Sequence, residues 1–171
     1  MRFVILLVCL LLDAGPPPVA PSTGRAPWPP ADTAGLSDLV GSWRGRGQSY
    51  GTPVADSLTF APALDGRFLR FEMLALGGDR FRAEGYLWTT GPAANTGSVS
   101  LAEYSTGAWP IRALIGQRVG TRILLEEHRP ERDIRIILEL ENRDRLVLQE
   151  VNLRARPPIA FVDEVFTRVS H

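Results

Sequence analysis

The side chains that could do chemistry in this sequence are two histidines and a set of acidic residues, and they form no familiar catalytic pattern. His128 follows Glu126 by two positions, so it could act as a general base or as a haem or metal ligand. A single histidine without regularly spaced partners is weak support for a metal site, and we expect His128 to be an exposed turn residue. The sequence contains no Ser-His-Asp order, Walker loop, dinucleotide fingerprint or HExxH motif.

Several acidic residues alternate with apolar ones and could anchor a ligand. Glu84, Tyr86 and Trp88 share one face of an extended segment. If that face points inward, Glu84 could bind a polar ligand group or transfer a proton. We favour the outward orientation, in which Glu84 is solvated, but keep Tyr86 as a candidate ligand contact. Glu150 and Asp163 could also be buried anchors, although ordinary surface alternation explains both.

The most specific motif is the run from Gly41 to Gly47, with the sequence G-S-W-R-G-R-G. Alternate residues of a strand share a face, so Trp43, Gly45 and Gly47 lie together and the arginines face away. Glycine beside a large ring leaves room for a ligand, and it also lets a strand bend at the corner of a barrel. Both interpretations stand, and Trp43, Gly45 and Gly47 are candidate ligand-binding residues.

The elements that must position these residues are short segments with a period of two, separated by glycine, proline and asparagine turns. A Gly77-Gly78 hairpin and a longer loop at 91–97 mark two of the connections. The pattern predicts an all-β domain of about ten antiparallel strands, best closed into an up-and-down barrel, with a two-sheet sandwich as the alternative. The predicted strands are 41–50, 57–63, 67–76, 81–90, 99–105, 111–119, 122–128, 134–140, 146–153 and 160–169.

The beginning of the chain differs in composition from the rest. Residues 1–14 predict a signal peptide, because Arg2 precedes an apolar run that is too short to span a bilayer. Residues 15–35 are rich in proline and predict a disordered linker, and residues 36–171 form the single domain. The only cysteine, Cys9, lies in the leader, so the domain has no thiol. We expect export to the periplasm or the exterior, or a tethered protein if the leader is not cleaved.

The charge balance excludes some partners. The 171-residue chain has 19 basic and 19 acidic residues, and every basic residue is arginine. A neutral chain with dispersed arginines does not predict a nucleic-acid partner or a general attraction to anionic membranes, and we expect no transmembrane barrel.

The G-x-W motif at the start of the first strand resembles that of the calycins, the group of lipocalins and fatty-acid-binding proteins. In lipocalins an arginine of the last strand packs over this tryptophan, and the resemblance gives that part to Arg168. The extended motif, followed by Tyr50 and Pro53, is most similar to nitrobindin-type barrels, which bind haem through a histidine near the C-terminal strand. The matching stretch here, 158–163, has no histidine. The resemblance therefore implies the barrel and disfavours the haem.

Four functions compete at this point. The leading hypothesis is a non-enzymatic barrel that holds a small apolar or planar ligand, contacted by Trp43, Gly45, Gly47, Tyr86 and Arg168. The alternatives are a haem or nitric-oxide-binding protein, an isomerase or hydrolase, and an interaction module without a ligand. An enzyme predicts an acid or histidine with a perturbed pKa inside the barrel.

Overall fold

A computed structural model describes residues 35–76, 81–90, 97–106, 111–130 and 132–170. A 3-10 helix at Ser37–Leu39 precedes the strands. The ten strands are β1 (Gly41–Ser49), β2 (Thr52–Ala63), β3 (Phe68–Ala75), β4 (Arg82–Thr90), β5 (Ser98–Ser105), β6 (Arg112–Val119), β7 (Arg122–Arg129), β8 (Arg132–Asn142), β9 (Arg145–Asn152) and β10 (Ile159–Arg168). Within the described residues, no helix is long and apolar enough to cross a bilayer.

The ten strands form one closed antiparallel barrel in which each strand pairs with its neighbours in sequence. β1 also pairs with β10, in a register that places Trp43 opposite Arg168 and Gly47 opposite Glu164. This last pairing leaves no open edge, which removes the usual site of strand-to-strand aggregation. The predicted all-β up-and-down barrel is confirmed, and the sandwich alternative is wrong.

The strand boundaries agree with the sequence pattern to within two residues, except that β2 begins at Thr52 instead of 57. The chain reverses at Tyr50 and Gly51, whose φ angles of 50° and 76° are both positive, as a two-residue hairpin of type I′ requires. The sequence pattern overlooked this turn because tyrosine is not a typical turn residue. The leader, residues 15–34 of the linker, the Gly77-Gly78 turn and loop residues 91–96 lie outside the described residues.

The inward-facing side chains change character along the barrel axis. Near Trp43 they are apolar and fully buried, and they include Leu69, Leu87, Leu146 and Phe166. Toward the other end, where the β1–β2, β5–β6, β7–β8 and β9–β10 connections lie, the barrel also buries charged residues. The buried charged side chains are Asp56, Glu103, Arg112, Glu127 and Glu164. The barrel therefore has an apolar half and a charged half.

Candidate functional site

The apolar end of the barrel is closed by Trp43 and Arg168. Trp43 is 1% exposed, and its indole N–H donates a hydrogen bond of 2.9 Å to the carbonyl of Leu39. The guanidinium carbon of Arg168 lies 4.0 Å from the indole centroid, so the stacking that the calycin resemblance implied is present. Arg168 also donates to the carbonyls of Val40 and Asp38. These contacts tie the 3-10 helix across this end of the barrel.

Gly45 and Gly47 make room for protein atoms. A Cβ on Gly45 would lie 2.4 Å from the ring of Phe166, and one on Gly47 would lie 2.0 Å from the carbonyl oxygen of Asp163. The space beside the tryptophan is thus filled by a phenylalanine ring and by the main chain of β10. Close approach of the strands accounts for these two glycines.

Tyr86 lies on the outer wall, and its prediction as an interior ligand contact needs correction. Tyr86 is 41% exposed, while Gly85 and Leu87 face the interior, as the period of two requires. Its ring packs edge-on against Phe68, at a centroid distance of 6.1 Å. Glu84 shares this face and pairs with arginines of the outer wall. The preferred outward orientation of this face is confirmed.

His128 also lies outside the barrel. Its side chain is 64% exposed, and its two ring nitrogens lie 2.7 Å from a carboxylate oxygen of Asp133 and 3.0 Å from one of Glu126. The hydrogen bonds to Asp133 and then Glu126 raise the pKa of His128 above its ordinary value. The candidate haem ligand is therefore engaged by two surface carboxylates and does not reach the interior.

The described residues do not fit a haem held inside the barrel. No histidine or cysteine among them faces the interior, and no cluster of histidine, cysteine and acidic residues with metal-binding geometry occurs in this part of the chain. The interior space is also far too small for a macrocycle, as the cavity described next shows.

An apolar cavity of about 60 Å³ lies in the middle of the barrel. Its walls are mainly aliphatic and aromatic, with Glu103 and Glu150 at its charged side. The lining residues are Leu58, Phe60, Phe71, Met73, Phe81, Ala83, Leu87, Leu101, Glu103, Ile136, Leu138, Leu148 and Glu150. Of the sequence-predicted site residues, Trp43 and Arg168 lie at the closed end, whereas Gly45 and Gly47 lie farther along β1, opposite Phe166 and Glu164 of β10.

A recess of about 210 Å³ adjoins this cavity at the charged end, and we call it the mouth. Cavity and mouth share Met73, Phe81, Leu148 and Glu150 as lining residues. The remaining lining residues of the mouth are Ser49, Val54, Asp56, Ala75, Val162 and Glu164. A molecule in the mouth can therefore extend an apolar part into the cavity.

Neither a scan against protein-family models nor a search of curated proteins finds a match to this chain. The function must be argued from the barrel itself.

Two carboxyl groups face each other in the mouth, and we call Asp56 and Glu164 the acid pair. Glu164 is 1% exposed and Asp56 is 5% exposed, and the two side chains are hydrogen-bonded. Burial, followed by the hydrogen bond and charge of Asp56 and the charge of Glu150, raises the pKa of Glu164 to about 8. At neutral pH the acid pair therefore holds a proton.

The acid pair depends on the glycines of β1. Gly45 pairs with Asp56 on β2, and Gly47 pairs with Glu164 on β10. β1 lies between β2 and β10, and a Cβ at Gly47 would meet the main chain of Asp163 and Glu164, so glycine lets β10 approach β1 closely. The glycine motif thus brings two acids together across a strand.

A second charged group, the arginine cluster, surrounds Arg112 on β6. Arg112 lies 3.3 Å from Glu150, 3.5 Å from Glu103 and 3.4 Å from Glu127. Burial raises the pKa of Glu103, although the charge of Arg112 opposes that shift. Glu127 has further cationic neighbours in Arg129, at 2.9 Å, and Arg132, at 3.6 Å.

Sequence reasoning raised one member of this charged half only as an alternative and missed the others. Glu150, for which surface alternation was the preferred interpretation, faces the interior, whereas Asp163 is exposed and bonds Gln149 on the outer wall. The neighbouring Glu164 faces inward instead, because it is in phase with Phe166, which packs over Gly45. The sequence signal that could have identified Glu164 is that it shares a strand face with a buried apolar residue. Glu103, Arg112 and Glu127 likewise each lie two residues from a buried leucine on the same strand.

Proposed function

We propose that this protein is a barrel that binds a small, largely apolar ligand in its interior, with the ligand entering through the mouth. The observation that carries the proposal is the apolar cavity of about 60 Å³ joined to the mouth through shared lining residues. Apolar surface removed from water supplies the driving force for such a ligand, and a few polar groups orient it. The leader of the sequence supports binding outside the cytoplasm, and the closed ten-stranded barrel supports a nitrobindin-like relationship.

The size of the space sets the size of the ligand. The cavity by itself accepts a group of only a few carbon atoms, so an aromatic ring must extend from the cavity into the mouth, and long acyl chains and macrocycles do not fit. The aromatic side chains of Phe60, Phe71 and Phe81 line this space and favour a planar fragment.

The test measures binding of toluene and 2-phenylethanol by calorimetry and by amide chemical shifts. Ala83→Phe places a ring in the cavity, and we expect it to abolish binding of both probes, because Ala83 lines the cavity. Ala113→Phe is the matched control, since Ala113 is exposed on the outer face of β6. Ala83→Val serves if the larger substitution prevents folding. The proposal is wrong if neither probe saturates the wild-type protein or if both cavity variants bind as well as it does.

A second candidate, an enzyme that moves a proton, is favoured by the acid pair. A protonated carboxyl group and a carboxylate in a sheltered mouth are the two partners that an isomerase needs, one as acid and one as base. One carboxylate would take a proton from the substrate carbon next to a carbonyl, and the carboxyl group would give a proton to another carbon of the same substrate. The number of protons on the protein and on the substrate is then unchanged.

The enzymatic candidate is tested with 3-cyclohexen-1-one, whose conversion to 2-cyclohexen-1-one appears as an increase in ultraviolet absorbance. We expect Glu164→Gln to lose the conversion and Asp163→Asn, which changes an exposed acid of the same strand, to keep it. Conversion no faster than in buffer would leave only the binding function.

A further inference from the structure

We propose that the ligand of this barrel is an amphipathic cation, whose protonated amine lies in the mouth against Glu164, Asp56 and Glu150. Its apolar body would fill the cavity. The inference rests on the proposed binding function and adds the chemical class of the ligand.

The first support is an acceptor without a donor. Among the described residues, Oε2 of Glu164 has no hydrogen-bond partner, although the side chain is 1% exposed and lines the mouth. A buried carboxyl oxygen that lacks a donor costs free energy. An ammonium group carries three donors, so it can supply this oxygen and contact neighbouring carboxylates as well.

The second support is the set of groups that face Glu164 from each adjoining strand. β2 contributes Asp56, β9 contributes Glu150, and β1 contributes Ser49 and its glycines. Arg112 donates hydrogen bonds to Glu150, and no ion pair of Glu164 with an arginine occurs among the described residues. The mouth therefore presents acids to a ligand, which attracts a cation and repels a carboxylate.

The charges of the charged half, counted over the described residues, agree with this selection. Five carboxyl groups belong to the acid pair and the arginine cluster, whereas three guanidinium groups approach them. The acids are Asp56, Glu103, Glu127, Glu150 and Glu164, and the arginines are Arg112, Arg129 and Arg132. An ammonium group reduces the excess of acid, and buried charges are tolerated best when they are paired.

The third support is continuity between the acids and the apolar cavity. Glu150 lines both spaces, and Met73, Phe81 and Leu148 form walls common to the two. A molecule whose amine is joined to a ring by a short chain can contact the acids and fill the cavity at the same time. This shape distinguishes the proposed ligand from a free metal ion or a simple ammonium ion.

Binding of the cation must displace the proton of the acid pair. Burial beside Asp56 holds that proton on the pair at neutral pH, so the ammonium group takes its place and a proton leaves to solvent. Affinity should therefore increase as the pH rises from about 6 to about 8 and should fall only when the amine itself loses its proton, near pH 10.

The experiment compares 2-phenylethylamine with 2-phenylethanol, which differ in the amine and share the ring. Calorimetry at pH 7 should show the amine binding at least tenfold more tightly, and titrations in phosphate and HEPES buffers at that pH should show release of about one proton. Glu164→Gln should remove both the tenfold preference and the proton release. Asp163→Asn should retain both, because Asp163 lies on the outer face of the same strand.

The outcomes separate this inference from the function on which it rests. Equal affinity for amine and alcohol overturns the inference and leaves the binding function standing, whereas no binding of either overturns both. An amine preference that persists in Glu164→Gln also overturns the inference. If Glu164→Gln does not fold, the test rests on the wild-type protein alone. An amine preference below tenfold, or the absence of proton release, then overturns the inference.

Discussion

Asp56 and Glu164 meet across a strand that lies between them, because that strand carries glycine at the two positions paired with these acids. The glycine motif at residues 41–47 therefore also positions the two acids that line the mouth. Trp43 of the same motif packs against Arg168 at the closed end, so β1 carries residues that shape both ends of the barrel.

The first prediction concerns the two glycines of β1. Gly45→Ala brings a methyl group to 2.4 Å from the Phe166 ring, and Gly47→Ala brings one to 2.0 Å from a main-chain oxygen of β10. Each should lower the free energy of unfolding by about 2–3 kcal/mol or more, measured by urea denaturation. Phe166→Leu replaces the ring with a smaller side chain, so it should restore part of the stability lost in Gly45→Ala and none of the stability lost in Gly47→Ala. Equal rescue of both variants would contradict this assignment.

The second prediction concerns the pH dependence of stability. The pKa of Glu164 is raised in the folded state, so between its unfolded value and about 8 the folded protein holds more protons than the unfolded chain. The contribution to stability is full below the unfolded pKa and is lost as the pH rises to about 8. Urea denaturation from pH 5 to 8.5 should show this decline, at most about 1.4 kcal/mol per pH unit.

Glu164→Gln should flatten that decline and should make the protein more stable than wild type at pH 8.5, since glutamine never ionises. Asp163→Asn changes the charge of the neighbouring exposed position and should leave the slope as it is. A slope that is the same in all three proteins would show that Glu164 is not the titrating group.

The third prediction concerns the contact between Arg168 and Trp43. Arg168→Lys keeps the charge but loses the planar group that stacks on the indole and donates to several carbonyls. We expect a loss of about 1–3 kcal/mol in the free energy of unfolding. Arg145→Lys, at an exposed position on β9, should change it by less than about 0.5 kcal/mol.

The fourth prediction concerns the arginine cluster. Arg112→Met leaves Glu103 buried and Glu150 partly buried without their guanidinium partner and should destabilise the protein by about 3–5 kcal/mol at pH 7. The loss should be smaller at pH 5, because burial raises the pKa of Glu103 and this acid then takes up a proton more readily. Arg82→Met, which removes an exposed cation from the outer wall, should have a small effect at both pH values. A loss that does not depend on pH would contradict this account.

Much of the barrel could be predicted from the sequence, because its strands alternate clearly and most connections are short. The contact of Trp43 with Arg168 followed from the resemblance, and the outward orientation of Tyr86 and Glu84 was the preferred interpretation of alternation. These features depend on local pattern or on a known pairing of the first and last strands.

The charged half could not be predicted in the same way, because it departs from the rule that polar residues face water. In β10 the alternation places Glu164 on the face of Phe166 and Asp163 on the other face, but it does not say which face points inward. The packing of Phe166 over Gly45 decides that direction. That contact joins residues 121 positions apart in the chain, so no local pattern contains it. The cavity depends on many such distant contacts and was likewise beyond the reach of alternation.

The closed end of the barrel also fixes where the chain enters and leaves. The 3-10 helix that precedes β1 and the end of β10 lie together there. Arg168 donates a hydrogen bond of 2.7 Å to the carbonyl of Asp38 in the helix, and the amide of Val169 donates one of 2.8 Å to the carbonyl of Ser42 in β1. Any attachment made through residues before Gly35, whether to a surface, a bead or a fused protein, therefore holds the barrel by its base. The mouth lies at the opposite end of the barrel from that point of attachment.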